Sequence, residues 1–226
     1  MELNSIEYWK RFKGNKIPSS LELEPVIFTY LYHDSKILDI GCGFGKTVIE
    51  LCKKGYKNIY GVDINESGIK FAKTHALQLD SNPHFSIGNA TSLPFSEAVF
   101  DFVINQAFWT TVISKEERVE IIKEIGRVLK DNGVIYITDF GQTWNQPHYN
   151  KAYSEGIEKK LESGTFEVFD KETGEFKYLA HHYTKDELVE LLNAGGMKNI
   201  IYYKQTIFST QSGNRINGHV FLATKN

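Results

Sequence analysis

Three glycines, Gly41, Gly43 and Gly45, fall in the run Asp39-Ile40-Gly41-Cys42-Gly43-Phe44-Gly45, where an apolar stretch gives way to a helical pattern. Glycine at such a turn lets the backbone fold back sharply and lets a ligand approach the main chain itself. About 20 residues further on, Asp63 closes a second apolar stretch, where a carboxylate can accept hydrogen bonds from both hydroxyls of a ribose. A glycine turn alone is a common structural device. Glycines and Asp63 together, in register with strand–helix–strand, point to a nucleoside site.

Electrostatics narrows which nucleoside. A dinucleotide places an anionic pyrophosphate on the glycine turn, with the spacing G-x-G-x-x-G; here the third glycine comes one residue early. Asp39 also sits two positions before the first glycine, where it would repel phosphate by several kcal/mol if poorly solvated. A cationic nucleoside turns that charge into an attraction. Asp39 could otherwise serve as a partner for the helix dipole.

These residues need a scaffold, and the pattern around them supplies one. Residues 36–41 read as a first strand, followed by a helix over 46–54 that Gly55 stops. Residues 58–64 read as a second strand, and Asn65 as the N-cap of a helix through Leu79. Short strands follow at 83–88 and 100–106. Ser114-Lys115-Glu116-Glu117 forms a capping box that opens a helix to Lys130, with Val119, Ile122, Ile125 and Leu129 as its apolar face. Asp131-Asn132-Gly133 reads as the turn into a fifth strand, 134–140. Such alternation predicts a mostly parallel sheet covered on both faces. Residues 141–183 are too long for an ordinary connection, and 165–169 and 176–180 alternate like a β-hairpin. A second capping box, Thr184-Lys185-Asp186-Glu187, opens a helix ending at Gly195-Gly196. Two last strands, 199–208 and 218–224, should pair antiparallel.

With these elements in place, LDIGCGFGKT resembles the first motif of class I S-adenosylmethionine (SAM)-dependent methyltransferases. GVDIN, GNATSLPFSEAVFDFVINQ and GRVLKDNGVIYITDF agree with that family in order and spacing, and YTKDELVELLNAGGMKNI supports them. The resemblance covers residues 36–140, then 183–200. It implies a Rossmann-like, doubly wound α/β fold with a seven-stranded, mostly parallel sheet and an antiparallel edge strand. It also implies SAM as cofactor and S-adenosylhomocysteine (SAH) as product. Asp63 would then bind the ribose and Ile64 pack on adenine. Gly41, Gly43 and Gly45 would pass beneath the methionine part, Asp39 would serve its amino group, and the backbone around Asn105 and Gln106 would complete that site. Asn89-Ala90 stands where the family often has Asp-Ala. The Asn89 carbonyl can accept the same adenine hydrogen bond at a cost of about 1 kcal/mol relative to a carboxylate.

Methyl transfer is an in-line displacement, so the protein mainly positions the acceptor and excludes water, and a base is needed only if the acceptor must lose a proton. The acceptor site should follow the strands' C-terminal ends. Three segments qualify. Ala107-Phe108-Trp109-Thr110 follows the fourth strand. The insertion 141–183 carries Trp144, His148, Tyr149, His181, His182 and Tyr183. Tyr8-Trp9-Lys10-Arg11-Phe12 lies in an N-terminal segment, 1–33, expected to supply lid helices over one domain spanning 1–226. His148, Tyr149 and His182 are candidates for a base. His181 and His182 are neighbours on a strand and point to opposite faces, which argues against a paired metal site, and no metal is expected.

Hydrophobic residues make up 41% and charged residues 24% of the 226, and the net charge is −2, which gives no electrostatic reason for a nucleic-acid partner. No apolar run approaches a membrane span, and the start lacks an export signal, so a cytoplasmic enzyme is expected. Cys42 and Cys52 read as reduced packing residues. An aromatic insertion without a basic patch favours a small-molecule acceptor. Residues 141–149 hold no carboxylate for a polyamine, which disfavours an aminopropyltransferase. A non-catalytic SAM-binding regulatory or partner subunit is the other reading, and under either the hairpin could serve as a homodimer edge.

Overall fold

The computed structural model describes residues 5–13, 21–209 and 212–226. Its strands are β1 (Ile37–Ile40), β2 (Ile59–Asp63), β3 (His84–Ile87), β4 (Phe100–Gln106), β5 (Leu129–Phe140), β6 (Thr165–Phe169), β7 (Phe176–His181), β8 (Met197–Phe208) and β9 (Arg215–Lys225). Seven of them form one sheet in the order β3-β2-β1-β4-β5-β9-β8, while β6 and β7 make a separate hairpin. The first five of the sheet run parallel; β9 is antiparallel to both β5 and β8. The antiparallel member is therefore β9, one place in from the edge, and not the edge strand itself. The chain crosses from β5 to β8 and leaves a slot that β9 fills on its way back.

The helices are α1 (Ser5–Arg11), α2 (Lys46–Lys53), α3 (Glu66–Ala76), α4 (Lys115–Val128), α5 (Pro147–Glu158) and α6 (Lys185–Ala194). Strand alternation divides the core between the two faces of the sheet. Leu38, Val103, Ile135 and Ile137 pack with Ile122 and Ile125 of α4 and Leu188 and Leu192 of α6. Their neighbours Ile37, Phe102, Ile104 and Tyr136 pack with Val48 and Leu51 of α2 and Ile69 and Ala72 of α3. The caps lie where the sequence places them. Asn65 accepts from Gly68 N–H, Ser114 from Glu117 N–H, and Thr184 and Glu187 form the full capping box. No helix among the described residues is long and apolar enough to cross a membrane.

The first difference from expectation is at α4. The helix ends at Val128, and Leu129 already pairs with Phe100 as the start of β5. Asp131-Asn132-Gly133 lies inside that strand, with Asn132 in the left-handed region (φ +62°), beside a shift of register. The buried face also rotates: Ile121 and Arg118 point inward and Val119 is exposed. Arg118 is buried because its guanidinium donates to the carbonyls of Val112 and Ile113 and pairs with Glu162 at 2.9 Å.

The second difference lies in 141–183, where α5 precedes the expected hairpin. Pro147 begins it, and Tyr149, Tyr153 and Gly156 form its buried stripe. A Cβ on Gly156 would run into the carbonyl oxygen of Thr165, so α5 lies directly on β6. At the N-terminal side, the backbone turn Pro25–Thr29 packs Ile27 among Ile37, Val48 and Leu51, whereas α1 lies over the hairpin. Ser5 Oγ accepts from Leu179 N–H at 3.0 Å.

Gly156→Ala is expected to lower the urea midpoint by the equivalent of about 1–3 kcal/mol, because backbone and not a flexible side chain must move. Unchanged stability would show that α5 and β6 separate freely.

Candidate cofactor and acceptor site

The loop after β1 takes its shape from the three glycines, all at positive φ: +74° at Gly41, +51° at Gly43 and +80° at Gly45. Each has different surroundings. A side chain on Gly41 would strike the Phe108 ring, and one on Gly45 would press on Ala72 at 2.8 Å and Phe85 at 3.2 Å. At Gly43 no described residue lies within 4 Å. The main chain is thus bare on the side where a ligand would lie. Gly41 N–H and Cys42 N–H donate to Val62 O, tying the loop to β2.

Asp63, at the end of β2, accepts from Gly43 N–H through one carboxylate oxygen and from Asn65 N–H through the other, both at 2.8 Å. Burial raises its pKa, while these backbone donors pull it down. The carboxylate also lines a cavity of about 200 Å³ at the C-terminal ends of the parallel strands. Asp39 lies within β1, buried, and pushed up to about 8 by burial and then by the charge of Asp63. It stands behind the cavity wall and not in it. The Asp63 carboxylate, with no cationic side chain among the described lining residues, suits a positively charged nucleoside and would disfavour phosphate, and a bound cation would favour ionisation of Asp39 behind it.

Gly41, Gly43, Asp63, Ile64, Asn89, Ala90 and Gln106 line the cavity. Asn89 accepts from Thr91 N–H at 3.1 Å, which sets its turn. Gln106 donates to Leu21 O at 2.7 Å and accepts from the Thr47 hydroxyl at 3.3 Å. Gly45 and Asn105 lie outside the lining. Gly45 packs on α3, and Asn105 is fully buried, its amide without a protein partner among the described residues.

Ala107 lines the cavity at φ +52°, a conformation that costs a non-glycine residue about 1 kcal/mol or more. Asp139, buried at the end of β5, holds the turn that follows. Its carboxylate accepts from Phe140 N–H at 2.8 Å and Thr110 N–H at 3.2 Å, and burial pushes it up to about 7.

Of the base candidates, Tyr149 and His182 line the cavity, and His148 is exposed on α5. His181 turns away: its Nδ1 meets the Thr165 hydroxyl at 2.7 Å and its Nε2 lies 3.4 Å from Glu187. With Glu162 these form a group of ligand type, in which Arg118 and Lys115 already pair with Glu162. Trp144 is exposed, with its indole N–H on Gln142. From α1 and its exit, Ile6, Trp9 and Phe12 line the cavity, while Tyr8 packs on Tyr178 at 4.7 Å.

Sequence reasoning missed Phe140, Phe166, Tyr178, Ala180 and Ser209 in the lining. The signal was available for three of them. Phe166 pairs with Ala180, and Val168 with Tyr178, so residues of even number in this hairpin share one face.

The family described as methyltransferase domain matches residues 32–196. A SAM-dependent methyltransferase from Methanosarcina mazei is 40% identical in its crystal structure, with TM-score 0.86, over 91% of this chain and 99% of that one. The chain belongs to the SAM-dependent methyltransferases. The same fold, at 14% identity and TM-score 0.66, occurs in Haemonchus contortus phosphoethanolamine N-methyltransferase 2, solved with SAM; the match covers 88% of this chain and 51% of that one. The mouse eEF1A lysine and N-terminal methyltransferase is 31% identical over 147 residues, 58% of this chain and 21% of its own length. This methyltransferase spans less than half the length of the first curated relatives it matches.

Asp63→Ala is expected to weaken SAH binding about 100-fold or more in calorimetric titration, since hydrogen bonds to a charged group contribute about 1.5–3 kcal/mol each. An unchanged affinity would remove Asp63 from the ribose site. The buried carboxylates also set a pH dependence. Asp39 and Asp139 hold protons in the folded, SAM-free protein that the unfolded chain has already lost, so their stabilising contribution falls as pH rises through about 7 and 8. His182, held down at about 3 by burial, acts in the opposite sense, but only below about pH 6.5. Thermal midpoints should therefore drop between pH 6.5 and 8, and Asp39→Asn should flatten part of that slope. A rise over this window would refute the assignment.

Proposed function

We propose that this methyltransferase acts on a small-molecule acceptor enclosed beside the cofactor, within a single domain. The observation that carries this reading is the covering of the cavity. Its far end is walled by α5 and the β6–β7 hairpin, and Ile6, Trp9 and Phe12 lie across it. Such enclosure suits a compact molecule better than the side chain of a folded protein. Buried, unpaired Cys42 and Cys52 fit a reducing, cytoplasmic setting.

The residues fit SAM on their own terms. Bare backbone at Gly43 would take the methionine part, the Asp63 carboxylate the ribose, and Asn89 with Ala90 the adenine edge. When bound, SAM supplies an electrophilic methyl group activated by its sulfonium charge. The chain's own work is orientation and exclusion of water. The turn held by Asp139 places Ala107 and Phe108 between the two ends of the cavity, and the aromatic walls keep the reaction dry.

The mouse relative's name specifies lysine and N-terminal acceptors in a protein, and this defines the competing outcome. Purified protein incubated with methyl-labelled SAM should transfer label to members of a small-molecule panel of phenols, amines, thiols and carboxylic acids. Label appearing only in intact proteins or peptides would overturn the small-molecule reading. SAH binding without transfer to any acceptor would favour a regulatory subunit.

A further inference from the structure

His182 follows β7 and stacks on Phe140, with ring centroids 5.4 Å apart and planes within 19°. Its Nδ1 lies 2.7 Å from the hydroxyl of Tyr153, which is fully buried. That phenol oxygen also accepts from Thr143 N–H at 3.3 Å. A phenol has one proton to give, and with Thr143 already donating to it, His182 Nδ1 is the acceptor available among the described residues. Nδ1 is therefore the bare nitrogen, and the imidazole proton sits on Nε2. No described residue bonds to that Nε2, and His182 lines the cavity. Burial, then the neighbouring His181 and His219, hold the ring neutral at ordinary pH.

The surroundings say what such a donor would meet. Phe140, Tyr149, Phe166 and Tyr178 supply ring walls, with Trp9 packed on Tyr178 at 4.8 Å and Phe12 beside Trp9. Among the described residues no Lys or Arg lines the cavity. Among the described residues its carboxylates are Asp63, at the end of β2, and Glu117, on α4 near Ile121. An anionic acceptor would lose its hydration here and find no cationic side chain among the described residues. An ammonium acceptor has no lone pair for an N–H donor.

We propose that this cavity takes an uncharged, flat aromatic acceptor whose hydroxyl or carbonyl oxygen receives a hydrogen bond from His182 Nε2–H. His182 is then a specificity-determining donor and not a general base, and Tyr153 is the positioning residue that locks its tautomer. Carboxylated and phosphorylated acceptors are excluded. This rests on the small-molecule reading above.

The test uses the full chain saturated with SAH, so SAH binding is measured first. Its absence would overturn the cofactor site itself and not the acceptor class. With ¹⁵N-histidine labelling, His182 should show a neutral Nε2–H ring from pH 5.5 to 8. Titration with 2-naphthol should shift Nε2, and 2-naphthoate, of similar shape but charged, should bind at least tenfold more weakly. His182→Phe should weaken 2-naphthol at least tenfold, and His182→Gln, which keeps an N–H donor, should recover most of that loss. An Nδ1–H tautomer or an imidazolium would overturn the proposal. So would 2-naphthoate binding as tightly as 2-naphthol, no 2-naphthol binding at millimolar concentration, or a His182→Phe variant that binds it unchanged.

Discussion

The Asp63 carboxylate is the tie on which the site depends. Through Gly43 N–H it fixes the glycine loop, and through Asn65 N–H it fixes the start of α3. Asn65 then passes the constraint on. Its side-chain oxygen caps α3 at Gly68, and its amide donates to Trp9 O at 2.8 Å and Phe12 O at 2.7 Å. One half-buried acid therefore sets the relative positions of loop, helix and α1, and still faces the cavity. Backbone donors keep such a carboxylate oriented, because each buried N–H would otherwise go unsatisfied.

Asp139 plays the matching part on the other side. It gathers backbone N–H groups of the turn after β4 and so holds Ala107 in a left-handed conformation, with the Phe108 ring over Gly41. The glycine loop and this turn fit because Gly41 has no side chain. Two carboxylates thus hold two loops, and the loops meet where the Phe108 ring lies over Gly41.

The parallel half of the fold was legible because its signals are local. Glycines, Asp63, caps at Asn65, Ser114 and Thr184, and alternating apolar runs each specify structure within a few residues. The hairpin was legible for the same reason. What escaped depended on distant partners. Arg118 reads as a surface residue until Glu162, 44 positions away, pairs with it. Val119 read as part of the buried face, and Ile121 took its place because α4 must also meet α6. Helix α5 was obscured by a mixture of aromatics, Pro147 and Gly156, whose meaning appears only when Thr165 lies against it. Among the site residues, Asp63 and the glycines followed from spacing. His182 emerged as one of several histidines, and only the Tyr153 and Thr143 contacts reveal what its ring presents.

Helix α1 is tethered at both ends. Ser5 exchanges hydrogen bonds with the main chain of Leu179 on the hairpin, and the carbonyls of Trp9 and Phe12 hang from Asn65 beside the cofactor strand. The same short segment therefore lines the cavity between Asp63 and the aromatic hairpin. Any displacement of α1 would have to break the bonds at both Asn65 and Leu179.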